Sequence, residues 1–440
     1  MSTTLHLNST PGQYPDSYYH ATATGERRRG RLTTNTSADV CIIGGGFTGL
    51  SSALHLAQLG IEAIVLDAHR VGWGASGRNG GQASSGQRLD QDALESSVGV
   101  PVAKEAWRIG VNAPRLVRSL IQEHSIDAQW QTGIVGVNHK QRFDAQTEAY
   151  VKKLQDDYDY HQIEWLSTED RLKHIKARGY FGGYRDTNSG HLHPLNYAFG
   201  LASAAERLGV RIYEQTEVED VRDGSICTIT TNSGHKIKAS KVLYACNGYL
   251  GFLREAVGRR VMPINNFMVA TQPLAAELSA ELLPSDAAVY DSRFVVNYFR
   301  LSRDNRLLFG GGETYGYRFP DNIAEFVRRP LLTIFPQLGD VKIEYAWGGT
   351  LGITMTRLPD FQKLTSNVYS MSGYSGAGVS MATMAGKIFA DMIHGDERDF
   401  EIMAQLPTPD FPASRLPFSR YLRTPMLAMA MKLYAIRDQW

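Results

Sequence analysis

Three glycine-rich segments contain the residues of this chain whose types and spacing could do chemistry. The first has Gly44, Gly46 and Gly49 at the spacing of a dinucleotide-binding turn. Gly44 permits the tight turn, Gly46 leaves space for a pyrophosphate, and Gly49 lets the following helix pack closely on the strand. Asp67 follows roughly 20 residues later and suits an acid that binds ribose hydroxyls. This segment therefore predicts a bound dinucleotide.

The second segment, residues 72–82, and the third, residues 372–380, extend the same chemistry. In the second, N–H groups at successive glycines can form an anion-binding concavity, and Ser76 can donate to a phosphate oxygen. In the third, glycines precede another helix N-terminus, which favours an anion. Three such approaches to one extended ligand predict a cofactor larger than NAD.

The elements around these segments follow an α/β pattern that is interrupted twice. An apolar, β-branched strand at 40–43 precedes the first glycines, the next helix ends at Gly60, and a second strand ends at Leu66. Charged amphipathic helices then occupy residues 96–180, and strand-like runs occupy 262–350.

We therefore predict an α/β protein with a Rossmann-like cofactor-binding domain and a discontinuous second α+β substrate domain built on an antiparallel sheet. The cofactor-binding domain is predicted at residues 1–95, 185–260 and 345–440. The substrate domain is predicted at 96–184 and 261–344.

Charge and cysteine content exclude several classes of protein. The 46 basic and 45 acidic residues leave a net charge of +1, which offers no field for nucleic acid or an anionic membrane. Three widely spaced cysteines suggest neither a disulfide framework nor a zinc site. No window approaches the ~18 apolar residues of a membrane span, and the N-terminus lacks a signal-peptide pattern. We predict a cytoplasmic protein without a nucleic-acid or membrane partner.

Three remaining features receive the simpler interpretation. His191 and His193 are predicted to be loop histidines, with no metal site. The arginines within 27–31 are predicted to lie on a solvated arm. The apolar segment 426–436 is predicted to be a docked helix or an interface.

Together the segments resemble the FAD-dependent amine and amino-acid oxidases that share the fold of glycine oxidase, sarcosine oxidase and D-amino-acid oxidase. The similarity runs from about residue 17 to the C-terminus, and it is greatest to members that oxidise γ-glutamylputrescine. It is carried by residues 38–50, 74–82, 241–248, 347–352 and 373–385. The Gly-Ala-Ser-Gly-Arg-Asn-Gly-Gly-Gln run of the second segment is its most specific part.

The resemblance implies a noncovalent FAD, because sarcosine oxidases tether their flavin to a cysteine in the C-terminal third and this chain has none after Cys246. It places the pyrophosphate at the first segment, the adenosine ribose at Asp67 and the flavin at the second segment. The third segment would approach the flavin O2 edge, where a helix dipole stabilises the reduced anion. The implied cofactor-binding residues are Gly44, Gly46, Phe47, Thr48, Gly49, Asp67, Ala68, Ser76, Gly77, Arg78, Asn79, Gly80, Gly81, Gln82, Val218, Gly248, Gly373, Gly376, Gly378, Val379 and Ser380.

The implied reaction is hydride transfer from a carbon bearing an amine to flavin N5, followed by hydrolysis of the imine. The expected substrate is a primary or secondary amine, γ-glutamylputrescine or a related ω-amine, and O2 is the expected acceptor, giving hydrogen peroxide. No catalytic acid or base is assigned. The candidate substrate residues are Tyr298, Arg300, Trp347, Met355 and Tyr374. Ordinary core packing is an equally good interpretation of the aromatic ones.

Departures from the family leave alternatives open. The lysine near N5 of sarcosine oxidases corresponds to Leu308, so a dehydrogenase that uses a quinone or carrier acceptor is the first alternative. The carboxylate-binding arginine of glycine oxidases corresponds to Ser302, with Arg300 two residues earlier, which disfavours a free α-carboxylate substrate. The second alternative is a flavin-binding protein without turnover, because no catalytic group is assigned.

Overall fold

A computed structural model describes residues 4–412 and 414; the segment 426–436 lies outside the described residues. The strands, in chain order, are β1 (Thr36–Ile43), β2 (Ala63–Leu66), β3 (Gln82–Ala83), β4 (Gln131–Val137), β5 (Ile163–Leu166), β6 (Gly183–His191), β7 (Arg211–Tyr213), β8 (Val218–Arg222), β9 (Cys227–Thr231), β10 (Lys236–Tyr244), β11 (Met262–Thr271), β12 (Ala288–Asp291), β13 (Tyr298–Leu301), β14 (Leu307–Thr314), β15 (Ile343–Ile353), β16 (Asp360–Lys363) and β17 (Val368–Ser372).

The helices, in the same order, are α1 (Thr4–Leu7), α2 (Tyr18–Ala21), α3 (Phe47–Gln58), α4 (Gln91–Val98), α5 (Val100–Glu123), α6 (Asp144–Tyr158), α7 (Pro194–Arg207), α8 (Glu255–Gly258), α9 (Ala276–Leu282), α10 (Ile323–Ile334), α11 (Gly378–His394) and α12 (Arg398–Ala404).

The first sheet has a parallel core in the order β17-β10-β1-β2-β7. Its central strand β1 is apolar without alternation because both faces are covered: Val40, Cys41 and Ile42 are all buried. Helices α3, α7 and α11 cover one face, and the antiparallel β8 and β9 lie over the other. The carboxyl ends of β1, β2, β10 and β17 therefore meet at one edge, where α/β proteins bind ligands.

Helices α3 and α11 cross at close range beside this edge. A Cβ atom built on Gly386 of α11 would lie only 2.5 Å from the backbone nitrogen of Ser52 in α3. The absence of a side chain at Gly386 thus allows the two helices to approach, and it fixes the positions of both helix N-termini relative to each other.

The second sheet runs β15-β11-β14-β13-β12-β4-β6-β3, with β5 also paired to β6, and it is antiparallel except between β12 and β4. Its side chains alternate between two environments. Phe267 and Val269 of β11 pack in a separate core with α10, whereas Met268 and Ala270 pack in the core shared with α3 and α11. The face of the second sheet that bears Met268 and Ala270 is therefore turned toward the parallel sheet.

The two sheets are those that the sequence predicts, but the predicted domain boundaries need correction at three strands. β3, β6 and β15 all belong to the second sheet. The strands of the predicted substrate domain thus pair with three segments that were predicted to belong to the cofactor-binding domain: residues 82–83, 185–191 and 345–353. Their pairing partners lie far away in sequence, so local patterns gave no signal. The division into two domains itself remains a proposal.

The arginine-containing arm also differs from expectation. The side chain of Arg29 is only 4% exposed, and it pairs with Glu206 and Glu214. Arg31 is held by Gln215. Arg29 thus docks this part of the arm on the protein, whereas Arg27, Arg28 and Arg31 are exposed, as the sequence predicts.

Candidate active site

A cavity of about 1050 Å³ lies between the two sheets, at the carboxyl edge of the parallel one. Asp67 and Val218 line it on the side of the parallel sheet, and Tyr298 and Glu313 line it on the side of the second sheet. Of the predicted cofactor and substrate residues, those that line it are Gly44, Gly46, Phe47, Thr48, Asp67, Ala68, Ser76, Arg78, Asn79, Gly80, Gln82, Val218, Gly376, Gly378, Val379, Tyr298 and Tyr374. The fold thus brings all three glycine-rich segments to a single elongated cavity.

The first turn has the shape that its glycines predict. Gly44 has a φ of +116°, and a Cβ there would lie 2.6 Å from the carbonyl oxygen of Ala245. Gly46 is the N-cap of α3 and has no side chain with which to cap it. The first N–H groups of a helix lack intrahelical partners and attract an anion. This turn therefore fits the pyrophosphate of a dinucleotide.

Asp67 stands at the end of β2 and closes the other side of the turn. Its two carboxylate oxygens accept hydrogen bonds from the N–H groups of Gly45 (2.8 Å) and His69 (2.7 Å). Burial raises the pKa of Asp67 to about 6, although these two hydrogen bonds oppose the shift. The carboxylate borders the cavity beside Val218 and Ala68, so it is placed to accept from the hydroxyls of an adenosine ribose.

We predict a pH dependence of FAD binding from this position. Ribose hydroxyls donate to the ionised carboxylate, so binding favours ionisation and releases a proton wherever free Asp67 is protonated. FAD affinity should therefore increase as the pH rises toward about 6 and then level off. Titration of apoprotein with FAD across this range measures it.

Asp67→Asn provides the control for that prediction, since it keeps the shape and removes the titration. The affinity of this variant for FAD should fall at least about tenfold at neutral pH, because one hydrogen bond to a charged acceptor is lost. A variant that kept the wild-type pH profile would show that another group is responsible.

The second segment forms a loop that is fixed by its own side chains. Ser76 Oγ accepts from the N–H of Phe47 (3.0 Å), which leaves its hydroxyl proton free to donate. The Asn79 amide donates to two carbonyls of the loop. The guanidinium of Arg78 stacks over Trp73, 4.2 Å from the ring centroid, and its Nη2 is buried without a hydrogen-bond partner among the described residues. An acceptor atom on a bound ligand would satisfy it.

The third segment brings a second helix N-terminus to the same cavity. Gly376, Gly378 and Val379 line it at the beginning of α11. The Tyr374 hydroxyl is hydrogen-bonded to Thr48 Oγ1 of α3 at 2.6 Å, which joins the first and third segments. The cavity is thus long, flanked by two helix N-termini and bordered by an acid at one end, and these features fit FAD.

The wall opposite the glycine loops comes from the second sheet. The ring of Tyr298 lies between two glycines, because a Cβ on Gly80 would come within 2.7 Å of it and one on Gly310 within 2.1 Å. Its hydroxyl donates to Asn266 Oδ1 on β11. Burial raises the pKa of Tyr298, so the phenol stays protonated at neutral pH. Tyr298 therefore lies between β14 and the second glycine-rich segment, residues 72–82, which is predicted to bind the flavin and is here named the flavin loop.

Six predicted cofactor residues do not line the cavity, and their contacts explain why. Added Cβ atoms at the glycines among them would collide with neighbouring atoms, so these glycines serve close packing: Gly49 against Gly44, Gly77 against Gly72, Gly81 against Leu192, Gly248 against Leu351 and Gly373 against Thr354. The hydroxyl of Ser380 donates a hydrogen bond to the carbonyl of Ser84 (2.7 Å).

Three predicted substrate residues also lie away from the cavity. The guanidinium of Arg300 donates to the carbonyls of Gly80, Leu301 and Leu192. It therefore stabilises the flavin loop at Gly80 from outside the cavity. Trp347 is buried, and its indole N–H donates to the carbonyl of Arg78. Met355 is 48% exposed on a turn.

Both histidines are buried; His193 lies between β6 and α7, whereas His191, predicted to lie in a loop, is the last residue of β6. His193 Nδ1 accepts from the N–H of Asn196 and so caps α7, and His191 contacts the carbonyl of Asp286. Burial lowers the pKa of each to about 3, which leaves both neutral. Within the described part of the chain, no group of three His, Cys, Asp or Glu side chains is arranged to hold a metal ion.

Sequence reasoning missed several polar residues of the second-sheet wall. Asn266, Glu313, Arg357 and Arg88 all line the cavity. Glu313 follows directly after three glycines at the end of an apolar strand, and that signal could have identified it. Asn266 and Arg357 have no comparable local signal.

A parallel sheet with a glycine turn at its carboxyl edge, a second, largely antiparallel sheet and a long cavity between them fit a flavoprotein of the dinucleotide-binding class. Comparison with known proteins agrees. The DAO family model, described as FAD dependent oxidoreductase, matches residues 39–392. The chain belongs to this family.

Individual relatives cover nearly the whole chain. It is 38% identical to the probable oxidoreductase OrdL of Rhizobium meliloti, over 96% of this chain and 97% of the relative. It is 37% identical to the gamma-glutamylputrescine oxidoreductase of Escherichia coli, over 97% and 99%. The crystal structure of glycine oxidase from Geobacillus kaustophilus matches the fold with a TM-score of 0.69 at 21% identity, covering 81% of this chain and 95% of that one.

These findings confirm the predicted fold class, the cofactor FAD and the enzymatic nature of the protein. It is an FAD-dependent oxidoreductase of a family that acts on amines and amino acids. Between residues 4 and 412, no helix has the length and apolarity needed to cross a lipid bilayer.

Proposed function

We propose that the enzyme oxidises the terminal amine of the putrescine chain of γ-glutamylputrescine, or the terminal amine of a related ω-amine. The observation that carries this is the 37% identity, over almost the full length, to the gamma-glutamylputrescine oxidoreductase of Escherichia coli. The cavity supports it, because it continues past the flavin loop along β13 and β14 and leaves room for a long substrate. Arg300 supports it too, since its carbonyl contacts occupy the guanidinium that would bind a carboxylate on the reacting carbon.

Bound FAD, held by the three glycine-rich segments and Asp67, would supply a hydride acceptor for the carbon that bears the amine, and hydrolysis of the resulting imine by water would give an aldehyde and ammonia. The residues of this chain position the amine and exclude water. Burial raises the pKa values of Tyr298 and Tyr374, so neither phenol acts as a base at neutral pH. The amine must therefore enter in its neutral form or lose its proton before it reaches the flavin. O2 is the proposed electron acceptor, and it yields hydrogen peroxide.

The test is anaerobic mixing of the purified holoenzyme with γ-glutamylputrescine, putrescine and N-methyl amino acids. We expect γ-glutamylputrescine to bleach the flavin band near roughly 450 nm. Admission of air should restore the band and form peroxide. Bleaching by an N-methyl amino acid but not by γ-glutamylputrescine would overturn the proposal. The flavin should also be released by acid precipitation, as a noncovalent cofactor is.

A dehydrogenase is the second candidate, and Leu308 is the observation that favours it. Leu308 is fully buried in the shared apolar core, so no cation approaches the flavin from this position of β14. A flavin that γ-glutamylputrescine reduces, but that only a quinone or dye reoxidises, would select this candidate over the oxidase.

A further inference from the structure

The end of the cavity beyond Tyr298 contains charged side chains of both signs. Glu313, Arg357 and Arg88 all line it, although they come from β14, from the turn after β15 and from the segment after β3. Burial raises the pKa of Glu313, while the positive charges of Arg357 and Arg88 oppose that shift. The three groups thus lie close enough to influence each other electrostatically within one chamber, here named the charged chamber.

Aromatic neighbours hold two of these groups in place. The Tyr315 hydroxyl donates to Oε2 of Glu313 at 3.1 Å, which engages one of the two carboxylate oxygens. The guanidinium carbon of Arg357 lies 5.8 Å from the ring centroid of Phe294, which also lines the cavity. The charged chamber therefore presents an oriented carboxylate and an oriented guanidinium to the same space.

The charged chamber lies further along β14 than the position where the flavin loop meets the second sheet. Asn266 links the two places, because the Tyr298 hydroxyl donates to Asn266, which is the ladder partner of Glu313. Gly310 is the ladder partner of Tyr298, and Glu313 follows three residues later on the same strand. At about 3.3 Å per residue, that spacing is roughly 10 Å. This spacing joins the backbone positions of Gly310 and Glu313, and it suits a substrate whose charged end lies away from the reacting amine.

We propose that Glu313 and Arg357, assisted by Arg88, bind the α-amino-acid head of a γ-glutamyl amine. Glu313 accepts hydrogen bonds from the α-ammonium group, and the guanidinium groups bind the α-carboxylate. The four-carbon chain beyond the amide then extends toward Tyr298 and presents the free amine to the flavin. The inference rests on the proposed function and adds the residues that select the substrate. A simple diamine lacks both charges of the head.

The test compares two substrates that differ by one charge. N-glutarylputrescine keeps the amide, the carboxylate and the free amine of γ-glutamylputrescine but lacks the α-ammonium. In the holoenzyme, Glu313→Gln should raise the half-saturating concentration of γ-glutamylputrescine for flavin reduction at least about tenfold and leave that of N-glutarylputrescine unchanged. Arg357→Gln should weaken both substrates by a similar factor, because both retain the carboxylate.

A binding measurement without turnover complements this comparison. γ-Glutamylbutylamine has the amino-acid head, with its α-ammonium and α-carboxylate, but lacks the terminal amine that is oxidised, and its binding should perturb the flavin spectrum of the wild type. Both variants should weaken this binding at least about tenfold. Glu281→Gln and Arg303→Gln are the matched controls, since both side chains are exposed and lie outside the cavity. They should leave the wild-type values unchanged.

The outcomes separate the two hypotheses. A wild type whose flavin is not reduced by γ-glutamylputrescine contradicts the proposed function. Suppose instead that γ-glutamylputrescine reduces the flavin of the wild type. If Glu313→Gln then raises the half-saturating concentrations of both substrates equally, or of neither, the assignment of Glu313 to the ammonium is overturned. If Glu313→Gln does not retain FAD, the Arg357→Gln variant decides, because equal binding of γ-glutamylbutylamine by that variant and the wild type overturns the assignment of the head to this chamber.

Discussion

Gly49→Ala should give a protein that retains almost no FAD and has no amine-oxidising activity. An alanine Cβ at this position would lie 1.9 Å from the carbonyl oxygen of Gly44 and 3.1 Å from Ile42 Cγ2. The first of these contacts is with backbone, so no rotamer change can relieve it. The turn between β1 and α3 must open, and the pyrophosphate site at Gly46 opens with it. We expect a loss of about 3 kcal/mol in the free energy of unfolding, at the upper end for overpacking.

Flavin content of the purified variant and its denaturation midpoint measure both consequences. Gly316→Ala is the matched control, since no atom lies within 4 Å of its added Cβ and its φ is not left-handed. That control should keep its flavin and its stability. A yellow Gly49→Ala protein with wild-type stability would show that the turn adapts, and the assigned packing role of Gly49 would then be wrong.

Glu214→Gln should produce the second large effect, a loss of about 3 kcal/mol in stability. Glu214 is 2% exposed and lies just after β7. It pairs with Arg70 (3.2 Å) and Arg29 (3.6 Å), and it accepts from the N–H of Val71 (3.0 Å). Removing one partner of a buried ion pair leaves an uncompensated charge and costs about 3–5 kcal/mol.

The lower end of that range is expected because both arginines keep a second carboxylate. Glu26 still pairs with Arg70, and Glu206 still pairs with Arg29. Glu62→Gln is the matched control: it also breaks a carboxylate–arginine pair, with Arg211, but the Glu62 side chain is 57% exposed. Its cost should stay within about 1 kcal/mol. Equal destabilisation by the two substitutions in urea denaturation would contradict the role given to burial.

The Glu214 network also has a consequence for the cofactor site. Arg70 and Val71 follow closely after Asp67, the predicted ribose acid, so Glu214 fixes the backbone on which that acid stands. We expect Glu214→Gln to weaken FAD binding as well as stability, whereas Glu62→Gln should leave FAD binding unchanged.

Local sequence determined the cofactor half of the site. The run from β1 through Gly44, Gly46 and Gly49 to Asp67 is contiguous. Each of these glycines is required because neighbouring atoms leave no room for a side chain. The predicted helix that ends at Gly60 is likewise found as α3, which ends two residues earlier at Gln58. Such features depend on backbone geometry and nearby neighbours, which a linear pattern records.

The substrate half was decided by the tertiary structure. Arg300 has the charge and strand position of a substrate residue, but its guanidinium finds three carbonyls contributed by distant loops and by its own strand. Glu313 and Arg357 are separated in sequence and meet only because β11 lies between β14 and β15 in the second sheet. Strand pairing across long sequence separations depends on the complete set of packed faces, and a side chain's partners follow from that pairing. The sequence therefore determined the cofactor, FAD, and the glycine turn that we propose binds it, whereas the folded sheet decided which charges line the cavity.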